Sequence, residues 1–225
     1  MLPVIDPPSD TDGSASVVGV LLAAGTSSRF GKKNKLLVQL EPEDVHNDQS
    51  HNLKENNREP VIRHSAHTLL DAGLECVWVV VGHESNRIRR ALSGLDVGFI
   101  ENLAYKTGHG SSIRAGAQAI NTKTLVQKSV DAVVFGLGDM PYVKPDSVRA
   151  LIRAYENGAG SALAAGYENQ RGNPVLFDKR HFTSLISCEK NKGGKEVLLS
   201  APDGAVIETN DPGVQHDIDK QSDIR

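Results

Sequence analysis

Between Gly25 and Lys35 the chain reads G-T-S-S-R-F-G-K-K-N-K, a run of small, hydroxylated and cationic residues suited to holding a polyanion. Ala23, Ala24 and Gly25 carry almost no side chain, so the backbone can lie directly against a ligand. Thr26, Ser27 and Ser28 add hydroxyls, and the N–H groups of such a loop can converge on an anion as backbone nests do. Arg29, Lys32, Lys33 and Lys35 set four cations within seven residues, in a chain whose formal net charge is −3. The implied ligand is rich in phosphate. Two familiar phosphate loops are excluded by spelling. The dinucleotide fingerprint needs G-x-G-x-x-G and the P-loop needs G-x-x-x-x-G-K-[ST], whereas here Gly25 and Gly31 are followed by Lys32 and Lys33. The plain alternative is an ordinary turn with a solvated basic edge.

Three other stretches carry residues that could take part. Asp139 follows the apolar run Ala132 to Leu137 and stands between Gly138 and Met140-Pro141. An acid at the tip of a buried strand, before a stiffened turn, can bind a hard cation such as Mg²⁺, although an Asp that merely caps the turn has the same spelling. In ENLAYKTGHGSSIRAG, residues 101–116, Gly108 and Gly110 leave room for a flat group. Ser111 or Ser112 can cap a helix running through Ile113 and Ala117, offering free N–H groups at its start. Near the end, Asp217 and Asp219 alternate with Ile218, so in a strand both acids share a face and one could complete a magnesium site with Asp139. A polar tail is the alternative there. His64 and His67 have a zinc-compatible spacing with no third ligand in register, and His46 and His51 sit in polar sequence. Cys76 and Cys188 show no metal-ligand spacing and decide nothing about a disulfide.

The elements that must position these residues are readable from periodicity. Val17 to Leu22 is a β-branched apolar run suited to a strand buried on both faces. Ahead of it, residues 1–16, with Pro3, Pro7 and Pro8, read as a disordered tail. Leu36 to Leu40 reads as a short extended piece, and residues 41–59, almost wholly polar, as a mobile surface insertion. Pro60 can start a helix whose Ile62, Ala66, Leu69 and Leu70 share one face, ended by Gly73. A strand at Cys76 to Val81, a helix at Glu84 to Leu92 and a strand at Val97 to Ile100 follow. After the strand at Ala132 to Leu137, a helix carries Val148, Leu151, Ile152 and Tyr155, and Ala162 to Ala165 is a small-residue strand. Strand, helix, strand in alternation predicts a parallel sheet with helices on both faces, which binds ligands at the carboxyl ends of its strands.

Composition narrows the function classes. At 225 residues the chain fits one domain, and a net charge of −3 argues against a nucleic-acid partner. No apolar run approaches the ~20 residues needed to cross a bilayer. MLPVIDPPSD has neither a basic start nor an apolar centre, so it is not a secretion signal, and a soluble cytoplasmic protein is expected.

The stretch LAAGTSSRFGKKNKLL resembles the signature loop of the nucleotidyltransferases related to molybdopterin cytidylyltransferase. The resemblance implies a three-layer α/β/α Rossmann-like fold with a mostly parallel central sheet, as one domain over residues 17–225. It implies that Leu22, Ala23, Ala24, Gly25, Arg29 and Lys35 hold the phosphates of a nucleoside triphosphate. The second alanine matches cytosine-using members, where guanylyl-transferring relatives read A-G-G. Gly108, Gly110, Ser111 and Ser112 would contact base and ribose, and D-M-P at Asp139 would supply a metal ligand, joined by Asp219 or Asp217 from the D-I-D match. Arg171, Gly172, Asn173 and Pro174 resemble the segment that lines the acceptor side, with Asn173 in place of His. His109 stands where Met or Leu is common, Asn191 to Lys195 replace D-K-G-A-R, and Lys220 and Gln221 replace T-P. The implied reaction moves CMP from CTP to the phosphate of molybdopterin with Mg²⁺, releasing pyrophosphate, with Arg29, Lys35 and Asp139 catalytic and a molybdoenzyme as client. A sugar or alditol phosphate acceptor, or a non-catalytic carrier of a phosphorylated cofactor, would use the same loop.

Overall fold

The computed structural model describes residues 2–9, 15–27, 30, 33–41, 58–122, 129–187 and 193–224. Arg29, Ser28, Gly31, Lys32, most of the polar insertion and the Asn191 position lie outside the described residues.

Ten strands and six helices occur among the described residues: β1 (Val4–Ile5), β2 (Val17–Ala23), β3 (Gln39–Leu40), β4 (Glu59–Pro60), α1 (Val61–Asp71), β5 (Val77–Val81), α2 (Ser85–Ala91), β6 (Gly98–Glu101), α3 (His109–Asn121), β7 (Ala132–Leu137), α4 (Pro145–Glu156), β8 (Ala162–Tyr167), β9 (Gln170–Asp178), α5 (Phe182–Ser187), α6 (Gly194–Ser200) and β10 (Gly204–Glu208). Eight strands form one sheet in the order β1-β10-β8-β9-β7-β2-β5-β6. β9 runs antiparallel to both its neighbours, and the remaining pairs are parallel. The sheet is therefore mostly parallel.

The period-2 alternation of β2 divides the core in two. Val17, Leu21 and Ala23 face the cluster that holds Ala66 and Leu69 of α1, Ile88 of α2 and Leu151 of α4. Val18, Val20 and Leu22 face Ile113 and Ala117 of α3, Leu185 of α5 and Leu198 of α6. Helices thus cover both faces, giving the expected three layers. All seven residues of β2 are buried. Burying a side chain such as Leu21 contributes about 1.5–3 kcal/mol, so β2 gives the loop that follows it a firm anchor.

Four local expectations are corrected. The N-terminal tail is ordered in part, because Val4 and Ile5 pair with Val206 and Ile207 and satisfy the open edge of β10. Ala15 and Ser16 also donate backbone N–H groups to Glu156 and Asp131. Leu36 begins within a turn of 3₁₀-helix, Lys35–Leu37, and only Gln39 and Leu40 are extended, paired with Pro60 and Glu59 at the foot of the insertion. An ion pair between Arg58 and Glu41 closes that foot. Helix α3 starts at His109, so Ser111 and Ser112 lie inside its first turn and Gly108 is the cap. Residues 216–219 form no strand ladder, since their backbone is tied elsewhere. Among the described residues no helix is long and apolar enough to cross a membrane.

Candidate nucleotide and metal site

β2 delivers the loop to the carboxyl end of the sheet, beside the tip of β7. The Gly138 N–H donates to the Leu22 carbonyl at 3.0 Å, and the His83 N–H reaches the Ala24 carbonyl at 3.3 Å. A Cβ on Gly138 would lie 2.7 Å from Ile62 Cδ1 and 3.0 Å from the Leu22 oxygen, so only glycine lets β7 close this tightly before Asp139. A cavity of about 420 Å³ opens here, lined among others by Gly25, Lys35, Gly108, Ser112, Asp139 and Asp217. Leu22, Ala24, Thr26, Ser27 and His109 also face it.

The returning half of the loop aims Lys35. Ser27 takes a left-handed conformation, φ 52°, which reverses the chain. Its hydroxyl donates to Asn34 Oδ1 at 3.2 Å and accepts the Lys35 N–H at 3.3 Å. Buried Asn34 also accepts the Leu36 N–H at 3.1 Å, capping the 3₁₀ turn. Lys35 Nζ is thereby placed 2.6 Å from Asp139 Oδ2 and 2.8 Å from Asp219 Oδ1. Burial opposes the ammonium's charge, but Asp139 and Asp219 outweigh it and hold the Lys35 pKa above its usual value.

The two C-terminal acids reach the site through backbone ties rather than sheet pairing. The Ile218 N–H donates to the Asp139 carbonyl at 2.9 Å, and the Ile218 side chain is fully buried. With Ile218 turned inward, Asp217 and Asp219 both turn to Asp139, and one carboxylate oxygen from each of the three lies within 4.8 Å of the others. Asp223 closes the segment. Its Oδ2 accepts the N–H groups of Asp219 at 2.9 Å and Lys220 at 2.7 Å, while its carbonyl lies 2.9 Å from His216 Nε2. These N–H donors hold the Asp223 carboxyl below its ordinary range.

At the opposite wall, Gly108 has φ 117°, a conformation open to glycine, and α3 begins immediately after it. The buried Asn102 amide donates to Ser111 Oγ at 2.9 Å and Ser112 Oγ at 3.1 Å, and its carbonyl oxygen accepts the Ala104 N–H at 3.0 Å. His109 opens to the cavity mouth. Although its side chain is exposed, the neighbouring wall partly desolvates it and lowers its pKa, with Asp139 acting more weakly in the opposite sense.

Of the residues singled out from sequence, Leu22, Ala24, Gly25, Lys35, Gly108, Ser112, Asp139 and Asp217 line one cavity, and Asp219 touches Lys35. Ala23 does not line it, because the pleat turns its methyl into the core. Gly110 and Ser111 are buried inside the first turn of α3 and stand behind Ser112. Arg171, Gly172, Asn173 and Pro174 do not line it either. Asn173 and Pro174 border a separate small void under the β7 tip, shared with Leu137 and Met140. Asn34, Asn102 and Asp223 were not legible as site residues, since a polar residue that binds backbone leaves no periodic signal.

Three carboxylates supply hard oxygen donors at a spread that side-chain rotation can close onto one divalent cation, so the set fits magnesium or manganese. His64 and His67 join no such group among the described residues.

A family model described as the MobA-like NTP transferase domain matches residues 19–205. The chain belongs to this family. As a MobA-like NTP transferase domain it is a transferase of the nucleotidyl type, acting on a nucleoside triphosphate, in a family that commonly uses divalent metals. It is 25% identical over 217 residues to nicotine blue oxidoreductase of Paenarthrobacter nicotinovorans, covering 93% of this chain and 95% of that protein. It is 26% identical over 185 residues to the bifunctional protein GlmU of Solibacter usitatus, covering 80% of this chain and 34% of GlmU, about a third of that relative's length. The crystal structure of Rv0371c from Mycobacterium tuberculosis H37Rv shares the MobA-like fold with a TM-score of 0.67 at 24% identity, covering 93% of this chain and 96% of that one. A complex of Rv0371C with manganese gives a TM-score of 0.60 at 22% identity, covering 93% and 96%.

Proposed function

We propose that this MobA-like domain moves CMP from CTP to the phosphate of molybdopterin, using Mg²⁺ and releasing pyrophosphate. The observation that carries the reading is the convergence of the Gly25 loop, Lys35 and the Asp139, Asp217 and Asp219 carboxylates on one cavity. An acceptor phosphate is already an anionic nucleophile, so no general base is required. Its oxygen bonds to the α-phosphorus as the bond to the β-phosphate oxygen breaks, and the pair of electrons leaves on pyrophosphate. The barrier is the approach of two anions and the charge on the leaving group, which calls for positioning and cations.

In this reading the Gly25 loop cradles the triphosphate and Lys35 meets the leaving charge, with Arg29 assigned the same task. Gly108 and Ser112 hold the nucleoside, with Gly110 and Ser111 forming the turn behind them. Asp139, Asp217 and Asp219 hold magnesium, which when bound neutralises phosphate charge. Arg171, Gly172, Asn173 and Pro174 are assigned to the acceptor. Cytidine is favoured because A-A-G at residues 23–25 resembles the cytosine-using members, where guanylyl-transferring relatives read A-G-G. The cytoplasm, with a molybdoenzyme as client, is the setting that fits this reaction.

Nicotine blue oxidoreductase raises a redox rival. Three clustered carboxylates beside a lysine have a role in handling triphosphate charge through a bound divalent cation and none in moving a hydride, which favours transfer. The test is pyrophosphate release with CTP or GTP, Mg²⁺ and molybdopterin or a panel of sugar and alditol phosphates. Release with CTP and molybdopterin is expected. Release only with another phosphate reassigns the acceptor, preference for GTP reassigns the base, and absence of release with every pair defeats the transferase reading in favour of a carrier or the redox rival.

A further inference from the structure

Lys35 stands where a metal ion would have to go. Its ammonium lies 2.6 Å from Asp139 Oδ2 and 2.8 Å from Asp219 Oδ1. A magnesium held by those carboxylates would sit at about 2.1 Å from its oxygens, within the same small volume. An ammonium and a divalent ion cannot share that volume, because their repulsion at such separation in a half-buried site is strong. The side chains of Lys35 and Asp139 are only 15% and 21% exposed, so water screens the contest weakly.

We propose that Lys35 is a built-in counter-cation of the carboxylate site, holding Asp139 and Asp219 in place and excluding the divalent ion until a polyphosphate draws the ammonium away. The inference rests on the reading of these acids as metal ligands and adds a positioning role that the phosphate-binding one does not contain. Asp217 lines the cavity but has no hydrogen bond or ion pair among the described residues, so it remains available to attract the incoming ion. The flexible four-carbon stem of Lys35 and the open wall formed by Gly25, Thr26 and Ser27 give the ammonium somewhere to move. Nucleotide and metal then bind with positive coupling, each raising the other's affinity by the same factor.

The test uses Mn²⁺ as the probe, titrated into the full chain with no nucleotide and followed by electron paramagnetic resonance. Wild type is expected to bind weakly and Lys35→Met about tenfold more tightly or better, reversing the usual sign for a lost site residue. Lys35→Arg keeps the charge and is expected to stay weak, and Lys35→Gln replaces the Met variant should that one not fold. Asp139→Asn is expected to abolish the tight binding seen in the neutral variants. Mn²⁺ affinity in Lys35→Met equal to or below wild type overturns the inference. Tight binding that survives Asp139→Asn overturns the metal assignment itself, while a failed CTP assay leaves this titration unaffected.

Discussion

At the amino ends of the parallel strands, Asp131, Asp178 and Asp203 each have donors of their own. Asp131 takes Lys179 Nζ at 2.8 Å, and Asp178 takes the Tyr155 hydroxyl at 2.7 Å and the Arg180 N–H at 2.8 Å. Asp203 takes the Ser161 hydroxyl at 2.5 Å, and because that hydroxyl's one proton is spent there, His181 Nε2 donates to Ser161 at 2.8 Å. At the carboxyl ends, Asp139 and Asp219 share one lysine and Asp217 lies beside them, so like charges are gathered rather than separated. The first arrangement stabilises the fold. The second gathers three acids around a single ammonium, an arrangement suited to a cationic or polyphosphate ligand, which is why clustered charge marks the functional end.

Substitutions at the two ends should therefore separate activity from stability. The largest effect is expected from Asp139→Ala or Lys35→Ala, each lowering turnover by roughly 10²-fold or more, as removal of a transition-state donor does elsewhere. Near-normal turnover in either variant would remove that residue from the chemistry. Asp223→Ala should act next, raising the metal concentration needed for half-maximal rate by about tenfold, in line with lost outer-sphere support. Asp223→Asn keeps an oxygen that accepts from Asp219 and Lys220 and should restore most of the affinity. A variant that melts earlier while its metal requirement stays unchanged would reduce Asp223 to a structural residue.

The opposite end should give the reverse pattern. Asp178 is 7% exposed, and Asp178→Ala removes a charged acceptor from the Tyr155 hydroxyl, leaving it only the longer bond to the Asp131 carbonyl at 3.2 Å, and from the Arg180 N–H, at a cost of about 1–3 kcal/mol. That corresponds to a melting temperature lower by several degrees, about 2–4 °C per kcal/mol for a chain of this size. Turnover per folded molecule should not change. Lost turnover with unchanged melting would erase the distinction between the ends.

The same distinction explains what the sequence disclosed. Long apolar runs made β2, β5 and β7 legible, and with them the places where Gly25 and Asp139 leave the sheet. The family's loop spelling tied Lys35 to the same chemistry. The reversal of β9 was not legible, because Val175, Leu176 and Phe177 are buried whichever way the strand runs. β1 was hidden because two residues among prolines carry no pattern, and only the open edge of β10 gives them a partner. Asn34, Asn102 and Asp223 act through single hydrogen bonds to nearby backbone or hydroxyls, and such bonds depend on folded geometry rather than spacing.

The smallest expected effect is a difference in pH window. Lys179 holds the Asp131 carboxyl below its usual range, and Ser161 does so for Asp203. Burial pushes Asp178 upward, but the Arg180 N–H, the Tyr155 hydroxyl and the Arg180 guanidinium together pull it below. Groups lowered in this way give their full stability above the unfolded carboxylate pKa of about 3.9, and lose it as pH falls through the folded value. Lys35 is raised, so its contribution is complete below the unfolded lysine pKa of about 10.4 and disappears as pH rises through the folded value. Melting temperatures of wild type, Asp178→Asn and Lys35→Met across pH check both signs. The gap between wild type and Asp178→Asn should narrow below about pH 4, because protonation removes from wild type what the amide already lacks. The gap to Lys35→Met should narrow only above about pH 10.5. A gap to Asp178→Asn that stays constant down to the acid transition would show that the carboxylate's charge plays no part in the amino-end network.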